Sequence, residues 1–534
     1  MELLIDPSGR TTKRNIFKLI SNNWDDYTCK TMFSLTYIDD SGESYLIGDV
    51  KIGYQGQPRG WTKAEIIRDF NFDRHTDLPI ENLPKKYFSV GQDVQYYENI
   101  MGIKNIEHRR YILGSLKDIA ADTEHYSLVC NEDVFHWSLT REVHVNSIVN
   151  QFRRVLNNEA MLTKYRFSYK KNDTNIQSGF NMDFSVEPAS KPPTNMHVLI
   201  GKNGVGKTTL LNDMVKSLLV LPSNDEDIGC FYKNNKTLEE SNTERFSGFS
   251  GVVSLAFSAF DRFDISHIDQ KDNFDNIKYN YIGLRRVEDD KYTVLKTEEE
   301  RATEFKESLI SCISFSAKKD RWLKAIKTLE TDKNFKDNKL HENVQEINLG
   351  HMQNPEVKEK ISQYFINFFL GLSSGHAIVL LSITKLVEYI EEKTLVLIDE
   401  PEGHLHPPLL SAFIRAISDL LVNRNAVAIV ATHSPVVLQE VPKSCVYKIK
   451  RIGAVAGVER PKKETFAENV GTLTREVFGL DVEKSGFHEL LKEDVLSGLS
   501  YEQVINEYDK QIGFEGKLIL QSMVSSFENG ENIQ

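Results

Sequence analysis

Residues 196–209 read Met-His-Val-Leu-Ile-Gly-Lys-Asn-Gly-Val-Gly-Lys-Thr-Thr, and within them Gly201-Lys-Asn-Gly-Val-Gly-Lys-Thr208 is an intact G-x-x-x-x-G-K-[ST] pattern. The apolar run before the pattern predicts a strand, and the periodic residues after it predict a helix. Glycines let backbone N–H groups turn inward toward a phosphate, and the N-terminus of the following helix favours the same anion. This context indicates a bound nucleoside triphosphate rather than a glycine-rich turn without a ligand.

Two side chains of this loop have specific predicted roles. Lys207 is expected to reach the β- and γ-phosphates, and the Thr208 hydroxyl is expected to ligate Mg²⁺. The residues expected to surround the phosphates are Gly201, Asn203, Gly204, Val205, Gly206, Lys207, Thr208 and Thr209.

Composition sets the broad class of the protein. The chain has 534 residues, of which 40% are hydrophobic and 27% charged, as in ordinary globular proteins. A net charge of −12 argues against a protein that coats nucleic acid, although a local basic patch stays possible. The five dispersed cysteines predict reduced thiols, and neither a signal peptide nor a membrane span is evident. We therefore expect a cytoplasmic protein with no membrane attachment.

Pattern changes divide the chain into three predicted regions. Residues 1–190 mix α and β patterns, including paired strands at 31–38 and 45–53 and helices at 106–122 and 145–163, and are expected to contribute strands to a β lobe of the nucleotide-binding region. Residues 191–450 form the nucleotide-binding core, with a helical lobe at about 296–392. Residues 451–534 are mostly helical and form either a packed end or a docking surface for a partner.

The helical stretch 296–330 carries a possible basic stripe. A solvated helix face is the favoured interpretation and a nucleic-acid footprint the alternative. The residues concerned are Lys318, Lys319, Arg321, Lys324 and Lys327.

A second apolar run ends in carboxylates. Thr394-Leu-Val-Leu-Ile398 has the composition of a buried parallel strand and leads into Asp399 and Glu400. Open α/β sheets bind ligands at the carboxyl ends of their strands. Asp399 is therefore predicted to hold Mg²⁺, and Glu400 is predicted to orient and polarise an attacking water.

Two further motifs follow the same logic. Ser373-Ser374-Gly375-His376 precedes an apolar helix, for which both serines are natural N-caps, and Ser373 lies 399 − 373 = 26 residues before Asp399. The apolar strand 426–431 ends close to His433, which is predicted to contact the γ-phosphate and report its loss.

The four motifs, in this order, resemble those of ABC-type ATPases over residues 196–435. The resemblance implies an α/β, ABC-type P-loop NTPase fold with a central mixed or parallel sheet, an antiparallel β lobe, a helical signature lobe and a helical C-terminal region. It also implies ATP as the nucleotide. Ser373, Ser374 and Gly375 would contact the ATP of a second protomer, so that a homodimer forms through the ATP sites. Ser374 and His376 depart from the usual Leu-Ser-Gly-Gly-Gln signature.

Two other departures bear on chemistry. The ABC glutamine that senses Mg²⁺ and water has no counterpart between Ser254 and Asp264, where Ser258 and Asp261 are the candidates to replace it. This puts the rate of hydrolysis in question more than the binding of nucleotide. The segment 399–407 contains His404 and His406, but it resembles the dimer-facing loop of overcoming-lysogenisation-defect and RecF ATPases, so we expect no metal site there.

The finest resemblance is to the ATPase subunit of Septu-type antiviral systems, related versions of which accompany retrons. It is carried by 257–263, 279–285 and 464–479, and more weakly by 87–93. It implies a separate HNH nuclease as partner and, in retron-linked versions, a reverse transcriptase with its DNA–RNA hybrid (msDNA).

Two alternatives stay open. A RecF-like repair ATPase fits the same four motifs. An overcoming-lysogenisation-defect nuclease would need a Toprim domain after His433, and 451–534 contains no Asp-x-Asp pair, so no intrinsic nuclease activity is expected.

Overall fold

The computed structural model defines the architecture of most of the chain. The residues that it describes are 1–6, 13–22, 24–26, 28–71, 79–160, 162–172, 179–219, 228–233, 246, 248–257, 277–288, 292–347, 355–452, 455–478 and 486–528. Ser258 and Asp261, the predicted substitutes for the missing glutamine, lie outside these residues, as does nearly all of the segment 257–263.

The strands of the described residues, in chain order, are β1 (Glu2–Ile5), β2 (Ile16–Ser21), β3 (Cys29–Lys30), β4 (Met32–Ile38), β5 (Ser44–Tyr54), β6 (Gly60–Trp61), β7 (Pro79–Ile80), β8 (Tyr87–Gly91), β9 (Tyr165–Lys171), β10 (Phe180–Val186), β11 (Met196–Ile200), β12 (Cys230–Lys233), β13 (Gly251–Ala256), β14 (Lys278–Gly283), β15 (Arg285–Glu288), β16 (Tyr292–Leu295), β17 (Leu395–Asp399), β18 (Val427–Thr432), β19 (Val446–Ile452) and β20 (Val455–Glu459).

The α-helices are α1 (Thr62–Asp69), α2 (Val94–Gly102), α3 (Ile106–Ser115), α4 (Thr123–Val129), α5 (Arg153–Leu156), α6 (Lys207–Leu219), α7 (Glu298–Ser314), α8 (Ser316–Leu329), α9 (Lys333–Asp337), α10 (Leu340–Gln345), α11 (Pro355–Leu370), α12 (Ser374–Tyr389), α13 (Pro407–Arg424), α14 (Pro435–Leu438), α15 (Val470–Phe478), α16 (Phe487–Leu496), α17 (Tyr501–Glu507) and α18 (Phe514–Glu528). Short π-helices at Phe135–Leu139 and Ser147–Phe152 and a 3₁₀ turn at Lys443–Cys445 complete the set. We find no helix among the described residues whose length and apolar content would let it cross a bilayer.

The central sheet has the strand order β14-β13-β17-β18-β11-β19-β20, and its neighbouring strands are parallel except for the antiparallel pair β19–β20. Strand β18 lies between the strand before the phosphate loop, β11, and the strand that ends in Asp399, β17. In register, Ile200 pairs with Thr432, and Asp399 pairs with Ala431. The carboxyl ends of these three strands therefore meet at one edge.

An antiparallel β lobe stands beside this sheet. Its strand order is β10-β9-β12, and its aromatic core residues, including Phe167 and Phe184, share one buried cluster with the inner face of α6. A helical lobe containing α7, α8, α11 and α12 covers the other side of the sheet, around the fully buried Trp322. The predicted α/β fold, with its β lobe, helical lobe and helical C-terminal region, is confirmed.

The first part of the chain builds a separate sheet. Its strand order is β7-β1-β2-β4-β5-β8, and it has a hydrophobic core of its own together with α2, α3 and the π-helices. The predicted strands at 31–38 and 45–53 are confirmed as β4 and β5. The helix predicted over 106–122 ends at Ser115, and the one predicted over 145–163 is a π-helix followed by the short α5.

Helix α8 joins this N-terminal sheet region to the helical lobe through buried ion pairs. Lys318 Nζ lies 2.6 Å from Glu142, and Arg321 Nη1 lies 2.9 Å from Asp93. Arg424 of α13 also pairs with Asp93, with its Nη1 lying 3.2 Å from Asp93 Oδ2. Both sequence interpretations of the basic stripe were therefore wrong for Lys318 and Arg321, because these cations are neither solvated nor available to nucleic acid.

Candidate nucleotide-binding site

The phosphate loop connects β11 to α6 with the geometry that its glycines allow. Gly204 and Gly206 have φ angles of 80° and 95°, which L side chains rarely adopt. A Cβ on Gly201 would lie 2.6 Å from the carbonyl oxygen of Ile449, so the loop also needs a glycine where it passes β19. Val205 packs inward against the β-lobe core, whereas Asn203 and Thr209 are exposed at the rim.

Lys207 is folded back into the loop. Its side chain is only 4% exposed, and its Nζ donates to the carbonyl oxygens of Gly201 and Lys202 at 3.0 and 3.2 Å. The same Nζ lies 3.3 Å from Glu400 Oε1. The ammonium group is therefore held by oxygen atoms at the place where phosphate oxygens are predicted to bind.

Thr208 and Asp399 form a pair of hard oxygen ligands. The Thr208 hydroxyl donates to Asp399 Oδ2 at 2.6 Å, across the junction of α6 and β17. Mg²⁺ binds oxygen ligands at about 2.0–2.1 Å in an octahedron, so two oxygens this close can share one ion. The donor set therefore fits Mg²⁺.

Glu400 sits in a strained backbone position at the end of β17. Its φ angle is 43°, and its N–H donates to Ala431 O at 2.8 Å. A non-glycine residue in this region costs about 1–3 kcal/mol and is common at functional sites. This turn aims the carboxylate back over the strand ends, where Oε2 lies 3.4 Å from His433 Nδ1.

A second glutamate, which the sequence analysis did not single out, fixes the histidine. Glu402 Oε1 accepts the Thr432 hydroxyl at 2.6 Å and the His433 N–H at 2.7 Å, and lies 3.0 Å from His433 Nδ1. The signal that could have found it is the spacing in Glu400-Pro-Glu402, which returns a second carboxylate toward the neighbouring strand end.

The predicted signature residues form a separate group. Ser373 is the N-cap residue of α12 by backbone position, but its side chain makes no cap hydrogen bond, so the predicted capping role of its hydroxyl was wrong. Ser373 Oγ instead lies 2.6 Å from His376 Nδ1. A Cβ on Gly375 would meet the His404 carbonyl oxygen at 2.7 Å, which ties the signature to the loop after Glu400. Ser373 and Ser374 themselves are exposed.

The loop containing His404 and His406 departs from expectation. The sequence offered no further ligand near these histidines, but the structure places His406 with His376 and Asp332, and potential ligand atoms of these three side chains lie within 4.8 Å of one another. The structure therefore contains a cluster of potential ligands that the sequence reasoning did not find. Asp332 is remote in sequence and became visible only through the packing of the helical lobe.

Strand order, phosphate loop and strand-end carboxylates together define the class of this protein: a P-loop ATPase of the ABC type. A family model described as "AAA domain, putative AbiEii toxin, Type IV TA system" matches residues 362–439, which run from α11 past His433. The chain is 39% identical over 526 residues to protein ea59 of Escherichia phage lambda, with 97% of each chain covered. The chain belongs to the ea59 family.

Solved ATP-binding cassettes show a low likeness. One cassette of an ABC transporter is 14% identical, covers 60% of this chain and 98% of its own, and has a TM-score of 0.31. The cbiO1 protein of Clostridium perfringens, part of the ABC transporter complex cbiONQ, is 16% identical, covers 62% and 96%, and has a TM-score of 0.27. The class of the protein rests on the strand order and the motifs.

Proposed function

We propose that two copies of this chain bind ATP and Mg²⁺ between them and hydrolyse the ATP, and that this cycle switches a partner effector. One observation carries the proposal. A single chain gathers Lys207, Thr208, Asp399, Glu400 and His433 at one edge of the sheet. Exposed Ser373 and buried Gly375 are instead grouped with His376 and His404. The first set is one half of a composite site, and the second is the half offered to the other copy.

The resting contacts couple nucleotide binding to catalysis. Lys207 is paired with Glu400. When phosphates bind Lys207, they replace Glu400 as its partner and release the Glu400 carboxylate. The freed Glu400 then stays within reach of His433 at the strand ends, where it can orient and polarise a water molecule. When bound to Thr208 and Asp399, Mg²⁺ supplies charge stabilisation to the phosphates.

We propose that the partner effector is a nuclease. The resemblance to Septu-type and retron-linked ATPases supports a separate HNH nuclease, with reverse transcriptase and msDNA in the retron case. The matching family model is described as a "putative AbiEii toxin" of a type IV toxin–antitoxin system, which also supports a role in controlling an effector. Since the ea59 relative is a phage protein, the proposed antiviral role would include defence carried by a phage.

The first experiment uses Glu400→Gln. We expect hydrolysis to fall by about 10²–10⁴-fold, because a positioned general base contributes that much, while ATP still binds. Light scattering should then show a stable dimer with ATP–Mg²⁺ but not with ADP. The matched control is Glu107→Gln on the exposed pair with Arg110, which should behave as wild type. A Glu400→Gln protein that binds ATP and stays monomeric would contradict the composite site.

A complementation test isolates the trans arrangement. Lys207→Ala and Ser373→Ala should each be inactive alone, since each variant damages both sites of its own homodimer. A mixed dimer contains one intact site, so mixing the two variants should restore hydrolysis. Mixed dimers that form and remain inactive would show that Ser373 acts within its own chain. Mass spectrometry and nucleic-acid staining of the Glu400→Gln complex from its native operon then separate a nuclease partner from RecF-like repair.

A further inference from the structure

We propose that Asp332, His376 and His406 form a binding site for a divalent transition-metal ion of the zinc type, distinct from the predicted Mg²⁺ site. The three ligands come from three elements. Asp332 lies between α8 and α9, His376 lies in the first turn of α12, and His406 immediately precedes α13. A bound ion would therefore connect two parts of the helical lobe, the turn between α8 and α9 and the start of α12, with the loop that follows Glu400.

The ligand atoms already approach coordination distances. His376 Nε2 lies 3.1 Å from Asp332 Oδ1, and His406 Nε2 lies 3.5 Å from Asp332 Oδ2. Tetrahedral zinc with bonds of about 2.0–2.2 Å holds its ligand atoms roughly 3.3 Å apart. All three ligand atoms lie within 4.8 Å of one another, so an adjustment of the more exposed His406 brings the set to that geometry.

Ligand chemistry selects the class of ion. Two imidazoles and one carboxylate suit zinc and its first-row neighbours, whereas Mg²⁺ prefers oxygen ligands. Asp332 and His376 have side chains only 9% exposed, and His406 is 50% exposed. The exposed histidine gives the ion a route in, and three protein ligands leave a coordination position open to water.

Hydrogen bonds around the cluster orient two of the ligands. Asp332 Oδ1 accepts the backbone N–H groups of Asn334 and Phe335 at 2.9 and 3.3 Å, which fixes the carboxylate. His376 Nδ1 lies 2.6 Å from Ser373 Oγ, the outer partner that metal-binding histidines usually have.

His406 also caps the N-terminus of α13, and this cap competes with metal binding. Its Nδ1 accepts the Leu409 N–H at a long 3.3 Å, which places the proton of the neutral ring on Nε2. An ion on Nε2 moves that proton to Nδ1, so binding weakens this cap.

A metal ion bound to His376 would also set the direction in which the Ser373 hydroxyl hydrogen points. When His376 Nε2 holds a metal, Nδ1 carries the proton and donates to Ser373 Oγ. The Ser373 hydroxyl hydrogen is then free for another acceptor, which under the proposed function is the γ-phosphate of the second copy. This consequence rests on the proposed function, whereas metal binding itself does not.

The test titrates the nucleotide-free, chelator-treated full chain with Co²⁺, whose visible absorption reports tetrahedral coordination, and then displaces it with Zn²⁺. We expect one ion per chain. His376→Gln, His406→Ala and Asp332→Asn should each weaken binding by more than the roughly 10–100-fold that loss of an outer partner costs. The control His404→Ala, two residues from His406 in the same exposed loop, should bind as wild type.

Unchanged binding in His406→Ala, or equal loss in His404→Ala, would overturn the site. Retained ATP binding by each variant shows that it is folded, because the phosphate loop is not altered. Two measurements separate the proposals. If the composite ATP site is wrong, Glu400→Gln and Lys207→Ala still bind the metal ion. If the metal site is wrong, ATP-dependent dimerisation of the chain is unaffected.

Discussion

Two carboxylates with different partners lie beside His433. Glu400 also contacts Lys207 of the phosphate loop, whereas Glu402 binds the backbone N–H of His433 and the neighbouring Thr432 hydroxyl. Under the proposed function, Glu400 acts on the substrate water, and Glu402 sets the position of the histidine.

We expect Glu402→Gln to lower kcat of ATP hydrolysis by about 10–100-fold, because it weakens charge-assisted hydrogen bonds worth about 1.5–3 kcal/mol. The KM for ATP should change little, since Glu402 does not contact the phosphate loop residues described above. Steady-state kinetics beside Glu400→Gln and the surface control Glu107→Gln check this. A rise in KM with unchanged kcat would instead assign Glu402 to nucleotide binding.

The site residues differ in how far the sequence could locate them. The phosphate loop and the strand-end carboxylates follow from short motifs, because their geometry is local to one turn or one strand end. Asp332 lies 44 residues before His376 and carries no motif. Its approach to the signature is a product of helix packing, which no short pattern records.

Helix α8 shows the same limit at the level of an element. Charge periodicity correctly predicted a helix over this stretch, but periodicity does not tell whether water or another part of the chain covers a charged face. Here the covering groups are Glu142 and Asp93, which lie more than 170 residues earlier. A pair of opposite charges that distant leaves no signal in a single sequence.

We expect Asp93→Ala to destabilise the protein by about 3–5 kcal/mol, because it leaves Arg321 and Arg424 buried without their counter-charge. The control Asp419→Ala breaks an exposed pair with Arg415 and should cost less than about 1 kcal/mol. Urea unfolding followed by circular dichroism measures both. Equal midpoints for the two variants would show that the buried contact does not hold the N-terminal sheet region to the helical lobe.

Buried carboxyl groups in different parts of the molecule have pKa values that are shifted in opposite directions. Burial alone would raise the pKa values of Asp93 and Glu142, but their arginine and lysine partners lower both to about 2. Each contributes stability that is present above its ordinary pKa of 3.8 or 4.5 and is lost as pH falls toward 2. Asp118 behaves differently, because burial raises its pKa to about 7.

Asp118 therefore stabilises the folded protein in its protonated form, and that contribution declines as pH rises from its ordinary pKa of 3.8 toward 7. Its Oδ1 accepts the N–H groups of Ala120 and Ala121, and an asparagine oxygen can keep both bonds without a charge. We expect the stability of Asp118→Asn relative to wild type to increase by on the order of 1–4 kcal/mol between pH 4 and pH 8. Urea midpoints at both pH values measure this change. A difference that is the same at both would show that the Asp118 carboxyl does not take up a proton on folding, and that this part of the N-terminal core is more hydrated than its packing indicates.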